Sequence, residues 1–212
     1  MPANDYGKLI SLEGIDGCGK STLAQMLAVA LRENHKNVVL TKEFGGTPLG
    51  ISLRELLHIR TDPISSKAEF LLIAADRAQH FETVVIPALR SSALVISDRM
   101  NDSSLAYQGY GRGIDLKMIT TINAWAMCNI KQDLIFFIDI DLQTALSRIY
   151  ARNEQLTSFE KEKIDFWQRV YNGYREIFRN RPEVVVLDGC QPPTMILEKA
   201  LGEIKKRGLV CH

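Results

Sequence analysis

The chain has 212 residues, long enough for one sizeable core, with a single domain spanning 1–212 as the default organisation. Its net charge of +1 gives no reason to expect nucleic acid or an anionic membrane as partner, and 46% hydrophobic residues is ordinary for a soluble globular fold. No apolar run approaches the roughly 18 residues of a membrane span, and the stretch Met1 to Tyr6 lacks the basic and apolar regions of a signal peptide.

The first strand expected along the chain is Leu9–Leu12, and Thr22 to Leu31 reads as an amphipathic helix. Between them, Gly14-Ile15-Asp16-Gly17-Cys18-Gly19-Lys20-Ser21 fits the pattern G-x-x-x-x-G-K-S/T at every required position. A glycine-rich turn at a helix N-terminus closes backbone N–H groups around phosphate oxygens and adds partial positive charge. Lys20 then reaches the β- and γ-phosphates, and the Ser21 hydroxyl ligates Mg²⁺. The ligand expected here is a nucleoside triphosphate with Mg²⁺.

Val38–Thr41, Leu94–Ser97, Leu134–Asp139 and Val184–Leu187 are further short runs rich in Val, Ile and Leu. Their alternation with helical patterns predicts an α/β, three-layer P-loop NTPase fold: a five-stranded parallel sheet flanked by helices. In such sheets the ligand crevice lies at the carboxyl strand ends, which collects Asp16, Glu43, Asp98 and Asp139 at one edge. The polar segment Arg152 to Glu162 reads as a mobile lid or an ordinary surface loop, within a lid region of about 148–162. Cys18, Cys128, Cys190 and Cys211 show neither C-x-x-C pairing nor clustering with histidine, so reduced cysteines in a cytoplasmic protein are expected.

The loop alone does not choose a reaction. A guanine-reading N-K-x-D motif and an ABC-type signature are both missing. A second anion-handling pair, Asp98-Arg99, ends the third strand, where an arginine fork suits phosphate oxygens and an aspartate suits Mg²⁺. A structural ion pair is the alternative for these two residues.

The run that follows, D-R-M-N-D-S-S-L-A-Y-Q-G-Y-G-R-G, resembles the D-R-Y/H-x-x-S-x-x-A-Y-Q-G-x-G-R-G signature of bacterial thymidylate kinases. Glu13 to Ser21 is similar to that family's phosphate loop. Glu43-Phe44-Gly45-Gly46-Thr47 is similar to its E-P-G-G-T segment, Ala74 to His80 to its A-A-D-R-A-Q-H segment, and Phe166 to Tyr174 to its C-terminal pattern. The resemblance covers most of the chain. It implies transfer of the ATP γ-phosphoryl group to dTMP, giving dTDP on the way to dTTP, with ATP and Mg²⁺. Nucleic acid and membrane are not among the implied partners, and a homodimer is, through apolar helical faces near Phe70–Leu72 and Ile122–Met127.

The same resemblance implies roles for individual residues. Asp16 would bind the sugar 3′-hydroxyl, Arg54 and Arg99 the monophosphate, and Arg77 the thymine carbonyl. Ser104 would contact the base edge, and Tyr107 would crowd the 2′ position. Glu43, Gln108 and Tyr174 would help form the pocket. Three departures stand out. Ile73 occupies the usual aromatic stacking position, which forfeits ring-stacking geometry worth about 0.5–1.5 kcal/mol. Lys42 and Phe44 flank Glu43 in place of arginine and proline. Ser158 stands where a lid arginine is expected, and Gly17-Cys18 brings no arginine into the phosphate loop. Arg148 and Arg152, one helical turn apart, therefore take the charge-stabilising role. The turn Gly189-Cys190-Gln191-Pro192 would wall the adenine. The alternatives are another deoxynucleotide or deoxynucleoside kinase, the latter needing Glu13 or Glu43 as base, or a catalytically impaired nucleotide-binding regulator.

Overall fold

Five short strands pair in parallel in the computed structural model, which describes residues 6–33, 37–58, 63–152 and 155–209. They are β1 (Lys8–Glu13), β2 (Val38–Lys42), β3 (Leu94–Asp98), β4 (Leu134–Asp139) and β5 (Val184–Asp188), in the order β2-β3-β1-β4-β5. This is the sheet expected from the sequence. The segment Met1 to Asp5, lid positions 153 and 154, and Cys211 lie outside the described residues. Four strands extend one residue past the expected carboxyl ends, adding Glu13, Lys42, Asp98 and Asp188. Apolar runs report burial, whereas the ladder continues into polar residues, pairing Lys42 and Leu12 with Asp98 and Asp139 with Asp188. The connections leave β1 and β4 in opposite directions along the sheet, so the crevice between their carboxyl ends is the topological switch point.

Helices follow in the order α1 (Lys20–Arg32), α2 (Pro48–His58), α3 (Ser66–His80), α4 (Ile86–Arg90), α5 (Asn101–Ser104), α6 (Leu116–Ala126), α7 (Leu142–Ala151), α8 (Ile164–Ile177) and α9 (Pro193–Lys206). Both sheet faces are covered. Ile10, Leu12, Leu94 and Ile96 join one core cluster with Leu23 and Leu27 of α1 and Ala200 and Ile204 of α9. Leu9 and Val95, pointing the other way, join a second with Phe81, Val85 and Leu89. Ser65, Asp115 and Asp141 cap α3, α6 and α7 by accepting from the backbone N–H three residues on.

Two π-helical turns interrupt the regular helices, Phe81–Val85 and Leu105–Gly111. The second follows α5 and carries Tyr107 and Gln108 toward the carboxyl edge of the sheet. It packs on α8, and a Cβ at Gly173 would lie 2.6 Å from the Tyr110 ring, so that contact requires glycine. The apolar faces near Phe70–Leu72 and Ile122–Met127 divide. Phe70 and Met127 are core residues, while Leu71 and Trp125 are 55% and 77% exposed. Among the described residues no helix is long and apolar enough to cross a membrane.

Candidate active site

A cleft of about 980 Å³ opens at the carboxyl edge of the sheet. Its floor is the loop between β1 and α1. At Gly17, φ is 82° and a Cβ would meet the Ala145 carbonyl oxygen at 2.4 Å, so only glycine fits. The helix α1 starts at Lys20, two residues before the expected Thr22, with Gly19 as its N-cap at φ 100° and no side chain capping it. The first N–H groups of the helix are thus left for an anion. Lys20 Nζ donates to the Ile15 carbonyl at 2.8 Å, curled over its own loop. Asp16, Gly17, Cys18, Gly19, Lys20 and Ser21 line the cleft, whereas Gly14 and Ile15 form the loop's inner wall. Burial pushes the Cys18 thiol up, so it is a neutral filler side chain. The Ser21 hydroxyl donates to Asp98 Oδ2 at 2.5 Å. Two hard oxygen ligands that supply only part of a coordination shell suit Mg²⁺, which keeps waters and phosphate oxygens as its other ligands.

Across the cleft, β3 ends in Asp98 and Arg99, and Arg99 adopts a left-handed φ of 72°. Such a conformation is uncommon for a side-chain-bearing residue, and tertiary contacts hold it. Its Nη2 donates to Asp16 Oδ1 at 2.5 Å and to the Tyr107 hydroxyl at 3.2 Å. Nη1 lies 3.0 Å from the Gly14 carbonyl, the Ser103 hydroxyl and the Tyr174 hydroxyl. Burial opposes charge on Asp16, but Arg99 and Lys20 outweigh it and hold its carboxyl well below the usual range. Tyr174, expected to help line the pocket, is fully buried behind Arg99 and does not reach the cleft wall. Its ring stacks on Phe137 and Phe178, and this packing on β4 draws it inward. It braces Arg99 and donates to Glu13 Oε2 at 3.2 Å. Glu13 also accepts from the Met100 N–H at 2.7 Å and the Ser103 hydroxyl at 2.6 Å, and burial and the charge of Asp102 raise its pKa.

On α3, Arg77 is 1% exposed yet reaches the cleft with one edge. Its Nε donates to Glu43 Oε2 at 2.7 Å, and Nη1 donates to Ser104 Oγ at 3.0 Å and Asn123 Oδ1 at 2.6 Å. Glu43 is committed on both oxygens, since Oε1 accepts from His80 Nδ1 at 3.1 Å. Burial works against the Glu43 charge, but Arg77 and His80 lower its pKa. His80 Nε2 lies 2.6 Å from the Thr41 hydroxyl, so β2 buttresses this network. Gln108 donates to Glu69, which also holds Arg112. Ile73 presents an aliphatic wall beside them.

Arg54, on α2, donates to the Phe44 carbonyl at 2.9 Å and lies over the Phe44 ring. Burial and then the charge of Arg99 lower its pKa, and both arginines line the cleft. Among the described residues no carboxylate pairs with Arg54. The described part of the segment Arg152 to Glu162 is docked. Phe159 is buried between the rings of Phe44, His58 and Tyr107, and Ser158 bonds the His58 carbonyl. Glu160 pairs with Arg152, and Glu162 with Arg112 at 2.7 Å. Arg148 Nη1 donates to the Gly189 carbonyl at 3.1 Å, which sets it at the turn with Gln191.

Ser103, His58, Phe159 and Asn123 enter this constellation with no role assigned from the sequence, and Glu13 with none beyond that of a base for a nucleoside acceptor. Ser103 sits inside the quoted D-R-M-N-D-S-S run. Asn123 carried a signal of its own, a polar residue in the buried stripe Ile119, Asn123, Ala126 of α6.

A family model described as thymidylate kinase matches residues 12–200. A thymidylate kinase of Halothermothrix orenii is 42% identical over 184 residues, 86% of this chain and 88% of that protein. One from Chlorobaculum tepidum is 40% identical over 205 residues, 92% and 96% of the two chains. The crystal structure of thymidylate kinase from Ehrlichia chaffeensis superposes with a TM-score of 0.77 at 33% identity, covering 94% of this chain and 99% of that one. With the phosphate loop, the Asp98-Arg99 pair and the buried Arg77 disposed around one cleft, the chain belongs to the thymidylate kinase family.

Proposed function

We infer that this chain transfers the γ-phosphoryl group of Mg-ATP to dTMP, giving dTDP. The observation that carries the reading is the pairing of two anion sites across one cleft: the uncapped start of α1 with Lys20 on one side, Arg54 and Arg99 on the other. Two phosphates that repel each other can be held in line there. A nucleoside monophosphate has a second pKa near ~6, so its attacking oxygen is largely anionic at neutral pH and no general base is required. Arg54 and Arg99 hold the acceptor phosphate. Asp16, ionised and oriented by Arg99, accepts from the sugar hydroxyl, while Tyr107 fills space beside it. Lys20 swings from the Ile15 carbonyl to the β- and γ-phosphates. Ser21 and Asp98 would hold Mg²⁺, which would supply further positive charge at the phosphates. Arg77 and Ser104 donate to the base carbonyl.

Arg148 and Arg152 divide the donor side. Arg148 belongs to the adenine wall at Gly189 to Pro192, and Arg152, at the end of α7, supplies the cation for the transferring group. The lid, about 148–162, closes over the donor. A homodimer forms through exposed Leu71 of α3 and Met118 and Trp125 of α6. Free Cys18, Cys128 and Cys190 suit the reducing cytoplasm. The test is a coupled assay of diphosphate formation from dTMP, dUMP, dCMP, dGMP and dAMP with Mg-ATP. dTMP should give the highest kcat/KM. A folded protein that binds ATP yet forms no dTDP would be the regulator instead.

A further inference from the structure

A guanidinium has five N–H donors, and four of those on Arg77 are committed. Nε–H goes to Glu43, the two on Nη1 to Ser104 and Asn123, and one on Nη2 to the Met100 carbonyl at 3.3 Å. Among the described residues one Nη2 hydrogen has no acceptor and is left for a ligand. Asn123 makes the shortest of these contacts, at 2.6 Å, and is itself 2% exposed. Its Nδ2 donates to the Asn101 carbonyl at 3.3 Å, and Asn101 Oδ1 accepts from Gln132 at 2.6 Å. An amide held on both sides has one orientation, with oxygen toward Arg77. A neutral acceptor also suits the site. Glu43 already neutralises Arg77, and a second carboxylate would add like charge.

We propose that Asn123 is a positioning residue for base selection: by engaging Nη1 it leaves the free Nη2 hydrogen aimed at the carbonyl of a keto pyrimidine. The proposal rests on Arg77 reading the acceptor base. An amino pyrimidine would place its own N–H donors against that hydrogen, so the fixed guanidinium discriminates between the two. Asn123 projects inward from the helix whose outer face carries Trp125, so α6 contributes to both surfaces.

The test compares kcat/KM for dTMP and dCMP in three variants of the full chain. Asn123→Leu leaves one of the two Nη1 hydrogens without its acceptor, Ser104 keeping the other. It should raise the dTMP KM about tenfold and lower the dTMP-to-dCMP ratio about tenfold, with the ATP KM unchanged within about twofold. Asn123→Asp keeps an acceptor for Arg77 and loses the donor to Asn101, so the ratio should hold within about threefold even if thermal stability falls. An unchanged ratio in Asn123→Leu overturns the proposal. Equal losses in both variants do so too, since Asn123 would then only brace α6 against Asn101. If Asn123→Leu does not fold, Asn123→Asp decides alone: a retained ratio supports the proposal and a lost one refutes it. Arg77→Ala run in parallel separates the two levels, because an unchanged ratio there removes the base assignment itself.

Discussion

The Ser158 hydroxyl donates to the carbonyl oxygen of His58 at 2.9 Å, and the Ser158 amide donates to the same oxygen at 3.1 Å. His58 ends α2, where carbonyls lack intrahelical partners and the helix dipole is negative. The residue standing where a lid arginine was expected therefore ties the segment 155–162 to the helix carrying Arg54. Ser158→Ala removes one of the two bonds, worth about 1 kcal/mol. Amide exchange in 155–162 should accelerate several-fold while the global Tm moves by no more than about 2 °C. Unaltered exchange would show that this bond does not hold the segment 155–162.

The two arginines of α7 should separate kinetically. Among the described residues Arg152 pairs with Glu160 alone and is half exposed, free to re-pair when a triphosphate arrives, whereas Arg148 is engaged at Gly189. Arg152→Ala should lower kcat by about 10³ or more with both KM values little changed. Arg148→Ala should raise the ATP KM about tenfold and spare kcat, as loss of ground-state binding does. This divides two residues to which the sequence gave one charge-stabilising role. Inverted results, with kcat lost only in Arg148→Ala, would give that role to Arg148.

The legible part of this protein was the part written in contiguous residues. Strand β4 reads as Leu, Ile, Phe, Phe, Ile because both faces are buried, and the phosphate loop is a local motif whose backbone makes the site. Less was legible where function depends on residues far apart in sequence. Tyr174 sits 161 residues from its partner Glu13, and nothing near either one announces that contact. The π-helical turn at Leu105–Gly111 was equally hidden, since one additional residue per turn leaves no composition signature. Arg148 and Arg152 share a helix face by spacing, yet what each one meets is set by Gly189 and Glu160.

Trp125 is 77% exposed on α6, with Met118 at 56% on the same helix and Leu71 at 55% on α3, which packs against it. Isolated apolar side chains on a surface are ordinary, whereas several on two packed helices suit the proposed dimer interface. Trp125→Glu should shift sedimentation from dimer to monomer, or raise the dimer Kd at least about tenfold if other contacts persist, since buried aromatic anchors commonly carry 2 kcal/mol or more. Unchanged sedimentation across micromolar concentrations would move the interface elsewhere.

The last prediction concerns Asp76, which neighbours Arg77 on α3 but does not line the cleft. Its Oδ1 accepts from the Gly45 N–H at 3.3 Å, and Oδ2 is buried with no hydrogen-bond partner among the described residues. Burial, then the charge of Glu43, raises its pKa from 3.8 to about 6, against the opposing effects of Gly45, His80 and Arg77. A carboxyl group with a raised pKa binds its proton more tightly in the folded state than in the unfolded one. Its contribution to stability is therefore complete below about pH 4 and is lost as pH rises to about 6. The loss is on the order of 1–3 kcal/mol. Asp76→Asn keeps an oxygen for Gly45 and cannot ionise. The difference in Tm between Asp76→Asn and the unsubstituted protein should be small near pH 4.5, grow in favour of the variant up to about pH 7, and then level off. Taking the difference cancels the other carboxyl groups, including Asp16, whose depressed pKa adds stability above about pH 4 and loses it on acidification. A difference that stays constant from pH 4.5 to 8 would mean that Asp76 is ionised throughout that range, stabilised by the N–H groups at the start of α2.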